Sequence, residues 1–278
     1  MATCPPRNIG EAQVSLFPHE RCDLPSGRRS GAPWLARASL MYFDLTTLDR
    51  TRFGGLLVVP DVHAHPDALD AAATRAREEG LFLVQLGDLV DRGPSSAMAV
   101  ALMRELEDVG EGTFLCGNHE HKLARFANGG GSAAPGRVET LRELTDFGDG
   151  LLEWYLARIA EGRLFARAPK LVLAHAAFHR AMLDEAPRPN RALHDRALYG
   201  VGKKVEGKKF PVRSREWVRE IPAGVTVVVG HDVVDPREPH RESNAHGGRA
   251  ICLDTGGWRA DGTWSTWRFR WDEVLPDA

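Results

Sequence analysis

Long apolar runs are missing from this chain. No stretch approaches the roughly 18 consecutive apolar residues that a membrane span needs, so no helical anchor is expected. Cysteine is scarce as well. Its four copies, Cys4, Cys22, Cys116 and Cys252, form no CxxC pair, and the last two sit inside the apolar runs "TFLCGN" and "AICLDT". That placement predicts buried free thiols at these two positions and a reducing compartment. An excess of either charge is lacking too, since 36 Lys and Arg face 38 Asp and Glu. Bulk charge therefore demands neither nucleic acid nor an anionic membrane as partner, and an anionic substrate has to be met locally. The N-terminus carries no apolar core of a secretion signal despite Arg28 and Arg29. A cytoplasmic protein with no membrane contact and no obligatory protein partner is expected.

What is present suits a sizeable core: 278 residues, 43% hydrophobic. Residues 1–40 are rich in Pro, Arg, Gly and Ser without a sustained period, which predicts a flexible arm and makes Met41 a candidate translation start. From residue 55 the pattern becomes regular. Apolar, β-rich runs stand at 56–60, 81–86, 113–116, 171–174, 225–229 and 250–253, the signature of buried strands. Helical stretches lie between the early ones, at 66–80 with Pro66 and Gly80 at its ends and at 94–110 with Pro94 and Gly110 in the same roles. Further helices are expected near 137–147 and 150–161. Strand alternating with helix predicts one α/β layered domain over 41–278. "NGGGSAAPG" at 128–136 reads as a loop, 200–216 as a basic insertion, and "TWRFRW" as a strand with one buried face.

The chemistry sits after the strands. Asp61 and His63 follow the first run; Asp88, Asp91 and Arg92 the second; Asn118 and His119 the third; then come His175, His231 and Asp254. In layered α/β sheets the carboxyl ends of strands line the ligand crevice, so these distant residues are expected to converge. Carboxylate and amide oxygens mixed with imidazole nitrogens suit Mn, Fe, Zn or Co better than Ca or a thiolate-preferring ion. The interspersed glycines fit a backbone that turns sharply close to a metal or phosphate.

In order, "PDVHAH", "GDLVDRG", "GNHE", "AHAAF" and "VGHDVV" resemble the signatures of the phosphoprotein-phosphatase branch of the calcineurin-like binuclear metallophosphoesterases, over roughly residues 55–260. The resemblance implies a four-layer α-β-β-α sandwich with two central mixed sheets. It also implies two divalent transition metal ions, manganese first, with nickel, iron, zinc or cobalt as alternatives. By the same resemblance Asp61 and His63 would hold one ion, Asp88 would bridge, and Asn118, His175 and His231 would hold the other. His119 would be the general acid, Asp91 its orienting partner, and Arg92 a phosphate clamp. A metal-bound water would then attack a phosphomonoester or phosphoanhydride in line.

Locally, "DRGP", "RALYG", "FPVRSREW" and "LDTGG" are similar to the phosphatase module of bacterial polynucleotide kinase-phosphatases and to diadenosine-tetraphosphatase-like proteins. That similarity makes Arg213 a second phosphate contact, Asp254 a partner for an active-site histidine, and a nucleotide or nucleic-acid end the expected substrate. The chain has no GxxxxGK[ST] loop for a kinase half. Serine/threonine protein phosphatase is the alternative, and a non-catalytic scaffold on the same fold a remote one.

His65, His121 and His179 fall off the family pattern and read as structural or solvent-facing. The first turn departs from the family's Gly-Asp-x-His-Gly, with Pro60 before the Asp and Ala64 after the His. An alanine at a positive φ would be strained, so the first metal is expected to be the looser, with His65 the candidate substitute ligand.

Overall fold

Five consecutive buried residues, Gly55–Val59, form β2 of the computed structural model, which describes residues 41–188, 190–208 and 211–276. The arm expected over 1–40 lies outside the described residues. β1 is Tyr42–Asp44, and the later strands are β3 Leu81–Gln85, β4 Gly112–Phe114, β5 Phe165–Ala168, β6 Leu171–Ala174, β7 Val201–Lys203 and β8 Val212–Ser214. They are followed by β9 Thr226–Val229, β10 His240–Ser243, β11 Arg249–Cys252 and β12 Trp267–Arg270. The helices are α1 Pro66–Glu79, α2 Ser96–Asp108, α3 Asn118–Ala127, α4 Pro135–Phe147, α5 Leu151–Glu161, α6 Arg191–Tyr199 and α7 Trp271–Val274.

Two mixed sheets result. One runs β12-β2-β3-β4, with β2, β3 and β4 parallel; the other runs β1-β5-β6-β9-β11-β10, with β6, β9 and β11 parallel. Strand periodicity explains why both are buried on two faces. Leu56, Val58, Phe82 and Val84 of one sheet meet Leu171, Leu173, Val228 and Ile251 of the other in the layer between them. The alternate residues turn to the outer faces: Leu57, Val59 and Leu83 join α1 and α2 residues Leu69, Ala73, Val100 and Met103, and Val172, Val227 and Val229 lie on the opposite outer face of the other sheet. Each fully buried Leu or Val contributes roughly 1.5–3 kcal/mol. This is the expected four-layer arrangement.

Local signals place the helix ends. Pro66 opens α1, and Gly80 closes it at φ 63. Pro94 does not open α2 as expected: Ser95, extended at φ -158, caps the helix by accepting from the Met98 N–H, leaving Pro94 outside. "TWRFRW" also ends differently. Phe269 of β12 is buried and Arg268 and Arg270 are exposed, whereas Trp271 begins α7 and donates its Nε1–H to Phe53 O at 2.5 Å. The basic insertion carries a separate antiparallel pair, β7-β8. Cys116 and Cys252 are buried free thiols, as their apolar settings predict. Among the described residues no helix is long and apolar enough to cross a membrane.

Candidate metal centre

The parallel strands of both sheets deliver polar residues to one place: Asp61 after β2, Asp88 after β3, Asn118 and His119 after β4, His175 after β6 and His231 after β9. The turns that do so are conformationally costly. Seven described non-glycine residues have left-handed φ, and six of them are His63 (43°), Ala64 (58°), Asp88 (56°), Asp91 (68°), Arg92 (73°) and His231 (64°). Strain of this kind, roughly 1–2 kcal/mol per residue, persists only where surrounding bonds over-determine the backbone, and it clusters at functional sites. Here His63 N–H donates to Asp88 O (3.0 Å) and Ala64 N–H to Leu89 O (2.8 Å), locking the first two turns together. Ala64 therefore keeps the positive φ that a glycine would adopt freely. Gly230 is required by close approach, because a Cβ there would lie 2.2 Å from Asp61 Oδ1.

Two clusters of potential ligand atoms share one residue. Asp61, Asp88, His175 and His231 form the first, and His63, Asp88 and His119 the second. Asp88 Oδ1 lies 3.4 Å from His175 Nε2, and its Oδ2 lies 3.7 Å from His63 Nε2. Asp61 Oδ2 is 3.8 Å from His63 Nε2, while its Oδ1 accepts from His231 N–H (2.8 Å) and sits 3.8 Å from His175 Nδ1. The resemblance pairs Asp61 with His63; the structure groups it with Asp88, His175 and His231, with His63 alongside at 3.8 Å. Asn118 joins them through Nδ2, 2.9 Å from His231 Nδ1, while its Oδ1 accepts from Lys122 Nζ at 2.7 Å. A half-turn of this amide would aim its oxygen at the cluster.

Beside the clusters, His119 Nδ1 meets Asp91 Oδ2 at 2.5 Å. Thr140 Oγ1–H donates to Asp91 Oδ1 at 2.5 Å, so both carboxylate oxygens are fixed. Burial works against the Asp91 charge, but the hydrogen bonds from His119 and Thr140 outweigh it and hold the carboxyl below its usual range. The Arg92 guanidinium reaches His63 Nε2 (2.8 Å) and His119 Nε2 (3.2 Å). Arg213 lies at the edge, its Nε 3.4 Å from Asp232 Oδ1, in a shallow cleft shared with His231, Tyr199 and Arg215.

Asp254 accepts the Gly256 N–H at 2.8 Å. Its charged neighbours include Asp61 and Asp88, and among the described residues no imidazole lies within ion-pair distance of it, in place of the expected histidine contact. His65, His121 and His179 stay outside both clusters. His65 Nδ1 faces the Val62 and His63 carbonyls, His121 Nδ1 faces Tyr199 OH at 3.0 Å, and His179 Nδ1 accepts from Ala181 N–H.

Several residues with no role in the sequence reading organise this site. Glu120, fully buried, accepts from Asp88 N–H (2.7 Å), Leu89 N–H (2.9 Å), Gly117 N–H (2.8 Å) and Tyr155 OH (2.8 Å). The signal was in "GNHE": a Glu three residues after a helix N-cap bonds back to the cap, as it does here to Gly117. Gln85 bridges the Pro60 and Gly87 carbonyls and accepts from Gly87 N–H, tying the first two motif turns. Trp258 stacks under Arg92, its ring centroid 4.2 Å from the guanidinium carbon.

The donor set fits divalent cations. Burial, with Asp254 and Asp88 alongside, pushes Asp61 well above the usual carboxylate range, and burial pushes Asp254 up to about 6. Such crowding of buried carboxylates calls for positive charge. Burial also depresses the imidazoles, His63 to about 3 and His231 to about 2, so each offers a lone pair without displacing a proton at neutral pH. His175 is the clearest case: Nδ1 faces Leu86 O at 3.2 Å, fixing the tautomer, and the buried Nε2 has no hydrogen-bond partner among the described residues.

Comparison with known proteins agrees with this geometry. The chain is 28% identical over 226 residues to the asymmetrical bis(5'-nucleosyl)-tetraphosphatase PrpE of Bacillus subtilis, covering 72% of this chain and 84% of that one. It is 30% identical to the Geobacillus sp. protein of the same name, covering 64% and 71%. A crystal structure of a proposed diadenosine tetraphosphatase has the same fold, with TM-score 0.52 at 20% identity over 83% of this chain and 98% of that one. So does a Saccharomyces cerevisiae serine/threonine phosphatase similar to human PP5, with TM-score 0.52 at 11% identity over 83% and 78%. The family model for calcineurin-like phosphoesterases matches residues 55–260, the span that carries every cluster residue, and the chain belongs to that family.

Proposed function

We propose that this metal-dependent phosphoesterase hydrolyses a nucleotide phosphoanhydride, with dinucleoside tetraphosphates as its substrate class. The observation that carries the reading is Asp88, one buried carboxylate common to two clusters of ligand atoms. The PrpE relatives, named for tetraphosphatase activity, support the substrate class.

In this reading Asp61 and His63 would hold one divalent ion, Asn118, His175 and His231 would hold the other, and Asp88 would contribute to both. Manganese is our choice, with nickel, iron, zinc and cobalt suited to the same oxygen and imidazole donors. Two such ions, when bound, polarise the phosphorus centre and make water nucleophilic at neutral pH. The remaining work belongs to side chains. Arg92, beside His119 and His63, and Arg213, beside His231, neutralise the phosphoryl oxygens and orient them. His119, with Nδ1 anchored on Asp91, turns Nε2 to the leaving oxygen and gives it a proton. Thr140 keeps Asp91 in place for that task. A cytoplasmic setting fits the two buried free thiols.

The test is a kinetic panel on the full chain with Mn: diadenosine tetraphosphate, nucleoside monophosphates, an oligonucleotide 3′-phosphate and a phosphoserine peptide. The dinucleoside tetraphosphate should show the highest kcat/KM. A phosphopeptide preference of about a hundredfold would replace this reading by the protein-phosphatase one, which the fold of the yeast phosphatase accommodates.

A further inference from the structure

Arg92 has an unusual support for a residue placed to bind phosphate. Its backbone is left-handed, its side chain is exposed, and among the described residues no carboxylate lies within ion-pair distance of it. Its hydrogen-bond partners are two imidazole nitrogens, His63 Nε2 and His119 Nε2. The first of these is a proposed metal ligand, so its lone pair is not available to Arg92 in the loaded enzyme. What then holds the guanidinium is His119 Nε2 and the Trp258 ring, 4.2 Å from its carbon.

Trp258 is fixed by stacking. Its buried Nε1–H has no hydrogen-bond partner among the described residues, although buried indoles usually find one. The ring instead meets Arg92, Arg259 (4.6 Å) and the edge of His63 (5.0 Å, 78°). Its loop leaves the carboxyl end of β11 and is tied down at both ends. Gly256 N–H donates to Asp254 Oδ1 (2.8 Å), Thr255 Oγ1–H to Thr263 O (2.5 Å), and Ser265 Oγ–H to Leu253 O (2.5 Å).

We infer that Trp258 is a positioning residue for Arg92: its ring face holds the guanidinium flat at the reaction centre and leaves the N–H edges for the phosphoryl oxygens. This rests on the reading of Arg92 as phosphate contact. Cation–π attraction at a partly desolvated ring is strong enough to matter, and it needs the aromatic face but not the indole N–H. The inference therefore separates Trp258→Phe, which keeps a face, from Trp258→Leu, which keeps bulk alone.

The test measures kcat, KM and manganese content of the Mn-loaded full chain, with orthophosphate binding followed by calorimetry. Trp258→Leu should raise KM and weaken orthophosphate binding about tenfold, ~1.4 kcal/mol, with metal content unchanged. Trp258→Phe should restore both to within about threefold of the parent. In an Arg92→Ala background, Trp258→Leu should cost less than about twofold more, because the two residues act as one. Equal losses for Phe and Leu, or a full additional loss in the Arg92→Ala background, would overturn the positioning role and leave the Arg92 assignment standing. An Arg92→Ala enzyme with parental KM and orthophosphate binding would remove that assignment, and the inference with it.

Discussion

Glu120 Oε2 accepts the backbone N–H of Asp88 at 2.7 Å, so the residue common to both ligand clusters is held at left-handed φ by a buried carboxylate from the next motif. Glu120→Gln sets an amide NH2 against backbone N–H donors. Leaving such groups unpaired costs roughly 2–5 kcal/mol in all. Urea unfolding of the variant should show a loss of that order, together with reduced manganese content. A midpoint matching the parent's would mean the four hydrogen bonds contribute little.

Asp88→Ala should lower activity to background and manganese content with it, since both clusters lose the same ligand. Elemental analysis alongside turnover distinguishes the two effects. Activity within a few-fold of the parent would rule out a shared carboxylate.

His119→Ala should reduce hydrolysis of alkyl phosphomonoesters by ~10²–10⁴-fold and hydrolysis of activated aryl phosphates far less, because aryl leaving groups depart without a proton. Asp91→Asn, which alters the partner of His119 Nδ1, should follow the same substrate pattern. Parallel losses on both substrates would assign the pair a structural task instead.

The imidazole C–H resonances of His63 and His231 should show no titration step between pH 5 and 8 in chelator-treated protein. Burial lowers the two rings to about 3 and about 2, so both are neutral throughout this window. The sign follows: the unfolded chain would take up protons on these rings below the ordinary imidazole pKa, roughly 6.5, and the folded chain would not. These two residues therefore favour unfolding as pH falls below that value. A step near neutrality for either ring would mean it is solvated.

The residues that converge were legible because each ends a buried strand, and unbroken apolar, β-rich runs marked those strands. The helix entry at Ser95 was misplaced to Pro94, since a serine hydroxyl decides a cap as effectively as a proline ring. Departure of Ala64 from glycine was visible in sequence, but its φ of 58° depends on the Leu89 carbonyl opposite, a contact no local pattern contains. Thr140 and Tyr155 were invisible for the same reason. Their neighbours Asp91 and Glu120 lie 49 and 35 residues away in sequence.

The ligand atoms come from both sheets, Asp61 and Asp88 from the four-stranded one and His175 and His231 from the six-stranded one. Ions bound among them would act as a clasp across the open end of the sandwich, in series with the apolar layer behind it. Occupancy is then linked to the rigidity of that end, because a ligand that binds only the folded form stabilises it by mass action. Chelation should accelerate amide hydrogen exchange in the turns after β2, β3, β6 and β9 while leaving β1 and β5, at the far edge, unchanged. Uniform exchange with and without manganese would mean the two sheets are held together by their apolar layer alone.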